Sequence, residues 1–151
     1  MLLKVGTQAP EFSGIDQDGE NISLSSFKGK KVILYFYPKD NTPGCTKEAC
    51  SLRDNFEVIT EKNAVIVGVS GCSQKAHKNF VTKYELPFHL LVDQEKEVIE
   101  AYGAWGEKKN YGKTYMGIIR STFIINEEGV IENVIEKVKT ATHGEQVLEH
   151  L

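Results

Sequence analysis

Cys45 and Cys50 are the residues of this chain best suited to do chemistry, because a thiol at the start of a helix is readily turned into a nucleophile. Residues 31–37 (KVILYFY) are rich in β-branched and aromatic side chains, which predicts a short buried strand, and Pro38 ends it. From Cys45 the apolar positions fall at Cys45, Ala49, Leu52, Phe56 and Ile59, a 4-3-4-3 spacing that lines one face of a helix reaching about residue 61. Cys45 sits in the first turn of that helix, where unpaired N–H groups and the positive end of the dipole favour thiolate over thiol. A free cysteine is more commonly a small buried hydrophobe. Here strand, Pro/Gly turn, helix start and a second nearby thiol coincide, which favours the nucleophile. Thr42, three residues before Cys45, has two readings: a helix N-cap, or a hydroxyl that accepts from the thiol or orients a substrate oxygen.

The elements around this loop alternate. Residues 12–24 read as a hairpin turning at Asp18-Gly19, with Ile22 and Leu24 alternating against polar neighbours. Residues 64–70 (AVIVGVS) form a second β-branched run, and a helix carrying Ala76, Phe80, Val81 and Tyr84 follows until Pro87 breaks it. Residues 89–93 predict a short strand and 95–102 a short helix. Residues 121–126 and 130–136 predict strands joined at Glu127-Glu128-Gly129, and 143–151 a closing helix. Residues 103–117 (GAWGEKKNYGKTYMG) show no period and read as an ordered surface loop. This order predicts an α/β fold, a central mixed sheet flanked by helices with an N-terminal β-hairpin, in one domain over residues 1–151. A thioredoxin-like fold satisfies it.

Composition bounds the function. The 151 residues suffice for one core, charged residues make up 26% and are spread along the chain, and the net charge is −3, so no basic surface for nucleic acid is expected. The longest apolar runs fall far short of the roughly 20 residues of a membrane span, and the N-terminus lacks a signal-peptide core, so a cytoplasmic location is expected. Three cysteines are too few for a disulfide scaffold and point to redox or catalytic use. His77, His89, His143 and His150 lie far apart without metal-ligand spacing, so no metal site is expected, and His77 and His89 read as surface or packing residues. Trp105 and Tyr111 read as anchors of the Gly-rich loop rather than lining of a site.

The stretch P-x-x-x-T-P-G-C, residues 38–45, resembles the peroxidatic loop of peroxiredoxins. Cys45-x4-Cys50 is similar to the bacterioferritin comigratory protein or Q-type branch of that family. Residues 6–12 (GTQAPEF), 67–70 (VGVS), 102–106 (YGAWG) and 120–124 (RSTFI) resemble family segments in the expected order. The resemblance implies the thioredoxin-like fold and a thiol peroxidase. In it Cys45 attacks hydrogen peroxide or a small organic hydroperoxide, Cys50 resolves the sulfenic acid as an intramolecular disulfide, and thioredoxin or a similar dithiol reduces it. It also implies that Pro38 and Gly44 shape the substrate site with Thr42, that Arg120 approaches the peroxidatic sulfur, that no cofactor is needed, and that the protein is a monomer. Glu48 matches the family's C-x-x-E, although an acidic residue complementing the helix dipole would explain it as well. Cys72, where the family commonly has a Pro-Asp-Ser-like stretch, departs from the pattern and reads as structural or incidental, with resolution in place of Cys50 as the lesser alternative. Two other classes share these thiols: a disulfide oxidoreductase, whose usual motif is C-x-x-C, and a redox-switched binding module.

Overall fold

The computed structural model describes the backbone of residues 1–151 and every side chain except that of Asn110. Its centre is a five-stranded sheet in the order β5-β4-β3-β8-β9. β3 (Lys31–Phe36), β4 (Ala64–Ser70) and β5 (His89–Val92) run parallel, β8 (Ser121–Ile125) runs antiparallel to β3, and β9 (Ile131–Ile135) antiparallel to β8. β3 is in the middle, and five of its six residues are buried because both faces are covered. Side-chain alternation divides it. Val32, Leu34 and Phe36 enter one core with Val67, Leu91, Tyr102 and Phe123, while Ile33 and Tyr35 join Cys45, Ala49, Leu52, Phe80 and Val147 on the other side.

Two antiparallel hairpins flank the sheet. β1 (Ser13–Ile15) and β2 (Asn21–Ser23) pair around Asp18-Gly19 as expected, and the Asp16 carboxylate ties the turn by accepting from Asp18 and Glu20 N–H. The second hairpin corrects the surface-loop expectation for residues 103–117: β6 (Trp105–Asn110) pairs with β7 (Lys113–Ile118) across Tyr111-Gly112, both at positive φ. Most of β7 is exposed, so little apolar alternation was available to mark it. Trp105 packs on the core beneath the Lys96 ammonium. Tyr111, expected as an anchor, is fully exposed at the turn.

The helix expected to reach residue 61 is two helices, α1 (Pro43–Asp54) and α2 (Phe56–Glu61). They part at Asn55 because its side-chain amide donates to the Ser51 carbonyl at 2.8 Å, competing with the helical pattern. α3 (Gln74–Tyr84) is capped by the Ser73 hydroxyl and ends at Glu85, and α4 (Glu97–Ala101) is capped by the Asp93 carboxylate. α5 (His143–Leu148) packs against α1, and its Gly144 lies so close that a Cβ would meet Ser51 O at 2.5 Å. Among the described residues no helix is long and apolar enough to cross a membrane.

Cys45 and Cys50 share α1, and all three cysteines are free. Five residues of regular helix separate two Cα atoms by roughly 8.7 Å, whereas a disulfide needs about 4.4–6.8 Å. A Cys45–Cys50 bond therefore requires the start of α1 to unwind. Hydrogen exchange should be faster over residues 46–56 in the disulfide form than in the dithiol form. Equal protection, with the bond confirmed by mass, would mean that no unwinding accompanies it.

Candidate active site

The loop from β3 to α1 is held at Asp40. Its buried carboxylate accepts from the Tyr37 hydroxyl and pairs with His77 Nδ1 at 2.6 Å, and His77 Nε2 donates to the Leu91 carbonyl at 3.0 Å. The Asp40 N–H points at Cys72 Sγ, 3.4 Å away. His77 is thus a buried partner of the loop on α3, more specific than a surface or packing residue. Cys72 likewise touches the loop backbone. His89 is half-exposed beside Phe27 and bonds Asp16.

Thr42 occupies the N-cap position of α1, yet its side chain makes no capping bond and donates to the Lys39 carbonyl at 2.9 Å. Pro43 at the first helical position lacks an N–H, and the Thr46 N–H is the first to find a helical acceptor, Thr42 O. The Gly44 and Cys45 N–H groups are consequently the donors of this helix end with no acceptor among the described residues. Cys45 is 1% exposed, whereas Pro38, Thr42 and Gly44 are half-buried. Cys50, one and a half turns on, is also half-buried.

Arg120 is brought here by strand pairing. Ser121 pairs with Phe36 at the last register position of β8 against β3, so the residue before Ser121 lies beside the loop leaving β3. Arg120 Nη2 donates to Cys45 Sγ at 3.3 Å and Nη1 to Glu48 Oε1 at 2.6 Å. A Cβ on Gly44 would stand 3.4 Å from Nη2, in ordinary van der Waals contact with the guanidinium. Burial opposes the charge on Arg120, but Glu48 and then Cys45 outweigh it and raise its pKa.

Behind Arg120 lies a buried layer of which the sequence marks only Glu48. Glu48 is fully buried, and desolvation pushes its carboxyl up to about 7 against the pull of Arg120. Its Oε2 has no hydrogen-bond partner among the described residues and lies 3.5 Å from His143 Nε2. His143 bonds Thr122 Oγ1 at 2.7 Å and Gln146 Oε1 at 2.9 Å, and burial pushes its imidazole down to about 4. On the hairpin side, the half-buried Lys108 donates to Ile118 O at 2.9 Å. Burial first and Arg120 second lower its pKa, while Cys45 acts in the opposite direction. The i, i+3 spacing of Cys45 and Glu48 marks them as neighbours on α1. Nothing local marks His143, Thr122 or Lys108, which the topology brings from three other segments. Among the described residues no three His, Cys, Asp or Glu side chains gather as metal ligands.

The sequence profile of the AhpC/TSA family matches residues 5–134. The chain is 50% identical to a protein named putative peroxiredoxin bcp from Coxiella burnetii, over all 151 residues and the whole of that protein. It is 49% identical to peroxiredoxin Bcp of Bacillus subtilis, over the full chain and 96% of the relative. The bacterioferritin comigratory protein of Xanthomonas campestris, solved as trapped intermediate and ligand complexes bearing on its alkyl peroxide reduction, superposes with a TM-score of 0.86. It is 35% identical over 92% of this chain and 88% of that one. A profile spanning most of the chain and relatives matched from end to end show that it belongs to the AhpC/TSA family, with the Bcp and Q-type peroxiredoxins.

Proposed function

We propose that this thiol peroxidase reduces hydrogen peroxide and small organic hydroperoxides through Cys45. The sulfur attacks the distal peroxide oxygen and the O–O bond breaks. Cys45 is oxidised to the sulfenic acid, and the peroxide leaves as water or alcohol once its oxygen takes a proton. The observation that carries this reading is Arg120 Nη2 at 3.3 Å from Cys45 Sγ, at a helix end whose Gly44 and Cys45 N–H groups have no acceptor among the described residues. A fixed positive charge and oriented donors stabilise both a sulfur anion and the oxygen anion that departs from it. Thr42 offers the lone pairs of a hydroxyl whose proton is committed to Lys39 O, so it acts as an acceptor for the peroxide hydrogen. Pro38 and Gly44, both half-buried in the loop that leads to Cys45, shape the approach.

Cys50 then displaces water from the sulfenic acid to form the intramolecular disulfide, and a dithiol donor of the thioredoxin type reduces it by exchange. The cycle needs no cofactor, suits a monomer, and depends on a reducing compartment such as the cytoplasm. A steady-state assay with thioredoxin, thioredoxin reductase and NADPH tests it: repeated turnover is expected, whereas a redox switch would consume one equivalent of peroxide, and a disulfide oxidoreductase would reduce insulin without consuming peroxide.

Cys45→Ser should abolish turnover, because a hydroxyl lacks the acidity and nucleophilicity of a thiol near neutral pH. Cys50→Ser should spare the first oxidation and leave the sulfenic acid open to more peroxide, so mass spectrometry should find sulfinic acid on Cys45. A Cys45–Cys72 bond in that variant would make Cys72 the resolving residue instead. Cys72→Ser alone should leave turnover nearly unchanged.

Arg120→Ala should slow the attack by about 10²–10³-fold, the usual loss when a charge-stabilising donor is removed. Arg120→Lys should restore only part of this, since one ammonium cannot bond Cys45 and Glu48 as the planar fork does. Single-turnover rates check both, and a rate unaltered in Arg120→Ala would remove that residue from the chemistry.

A further inference from the structure

We propose that His143 is a positioning residue for the peroxidase reaction: it turns a bare ring nitrogen, not an N–H, toward Glu48, and so keeps that carboxyl from neutralising Arg120. The inference rests on the reading of Cys45 and Arg120 given above.

The tautomer follows from hydrogen-bond bookkeeping. Gln146 Nε2 donates to Lys137 O and Gln146 Oε1 accepts from the Lys139 N–H, so the amide orientation is fixed from two sides. The same Oε1 faces His143 Nδ1 at 2.9 Å and can only accept, so Nδ1 carries the proton. Neutral His143 then has a lone pair at Nε2, and the Thr122 hydroxyl 2.7 Å away donates to it. Glu48 Oε2 looks onto this nitrogen at 3.5 Å and has no other polar partner among the described residues. An ionised Oε2 would face a lone pair across a dry interior, which is unfavourable. Arg120 favours ionisation through Oε1, so the two oxygens of one carboxyl pull in opposite directions.

The balance matters because Arg120 serves two acceptors. With Glu48 ionised, its charge is shared between a carboxylate and the sulfur. With Glu48 neutral, the guanidinium keeps the Glu48 hydrogen bond and its full charge stands against Cys45. Burial places the Glu48 midpoint at about 7 and that of His143 at about 4, so both are uncharged between these values. Of the other titratable groups, the Tyr35 hydroxyl from β3 faces Glu48, Arg120 and Cys45, Lys108 from β6 faces Arg120 and Cys45, and Glu145 from α5 is turned to Ser51. Tyr35 is raised well above its ordinary value, first by burial, and stays a neutral hydroxyl; Glu145 bonds Ser51 and Asn55.

The sign of the pH effect follows. As pH rises through about 7, Glu48 ionises, Arg120 is partly neutralised, and the wild type should fall progressively behind Glu48→Gln, whose amide is neutral at every pH. His143→Gln brings an amide donor toward Oε2, which favours the carboxylate. The pH at which the enzyme falls behind the Glu48→Gln reference should then drop by at least about one unit. In a Glu48→Gln background the same substitution should leave the pH profile in place. Single-turnover peroxide reduction across pH 5–9 reads all four proteins. A midpoint unmoved by His143→Gln, or the same rate loss in both backgrounds, would reduce His143 to a packing residue and overturn the proposal. Nitrogen-15 NMR of the wild type gives a readout independent of activity. His143 should be the neutral Nδ1–H tautomer at pH 7, and an Nε2–H tautomer or an imidazolium would overturn the proposal even if Cys45 and Arg120 act as described.

Discussion

The guanidinium of Arg120 joins the two parts of the site, and the rest of the structure is arranged around keeping it there. It comes from the strand side of the molecule, fixed one residue before a register pair, while Cys45 and Glu48 come from one face of α1. Charge on sulfur that is 1% exposed has little water to stabilise it, so the protein must supply the compensating field. The free end of α1 supplies part, diffusely. The guanidinium supplies the rest through a directed bond, so the β3–β8 register decides where that charge stands relative to Cys45.

That register rests on ordinary packing. β3 is covered on both faces, and its alternation sends Ile33 and Tyr35 toward α1 and Val32, Leu34 and Phe36 away from it. A slip of one residue would exchange the two faces and move Arg120 along the loop, so the buried side chains of β3 and β8 fix the site at no extra cost. The loop is pinned separately: the Tyr37–Asp40–His77 chain anchors it to α3, leaving Thr42, Gly44 and the start of α1 to be placed by short connections.

The readable parts of the sequence were those with local causes. The β-branched runs of β3 and β4, the Asp18-Gly19 turn and the 4-3-4-3 spacing after Cys45 each reflect contacts within a few residues, and they gave the α/β order. The break at Asn55 has no local signature, because it is made by a side chain that also reaches Glu145 on α5. The β6–β7 hairpin leaves no apolar period in the sequence, because most of β7 faces solvent. Within the site, Cys45 stands out from the strand, turn and helix start around it, whereas the roles expected of Cys50 and Arg120 come from family resemblance. His77 and His143 were not, since a buried histidine looks like any other until the fold shows what each ring nitrogen meets.

The same residues that make α1 a good reaction platform also bear on its unwinding. Cys45, Glu48 and Cys50 lie within six positions, so an unwinding of α1 that carried Cys45 toward Cys50 and took Glu48 with it would bring that carboxyl out of its buried site. For most side chains this would add to the cost of opening the helix. For Glu48 it returns to water a carboxyl that burial pushes to about 7 and whose Oε2 is unpaired among the described residues, at the expense of its bond to Arg120. Breaking a buried ion pair is unfavourable when one charge stays behind in the interior. Here the guanidinium is part-exposed and reaches water in place. The opening of α1 is therefore opposed mainly by its packing: Ala49 and Leu52 against the sheet, and Ser51 against Gly144 of α5. The contacts that place the Cys45 thiol and those that resist unwinding of α1 are thus largely different sets, one electrostatic at residues 45 and 48, the other packing further along the helix.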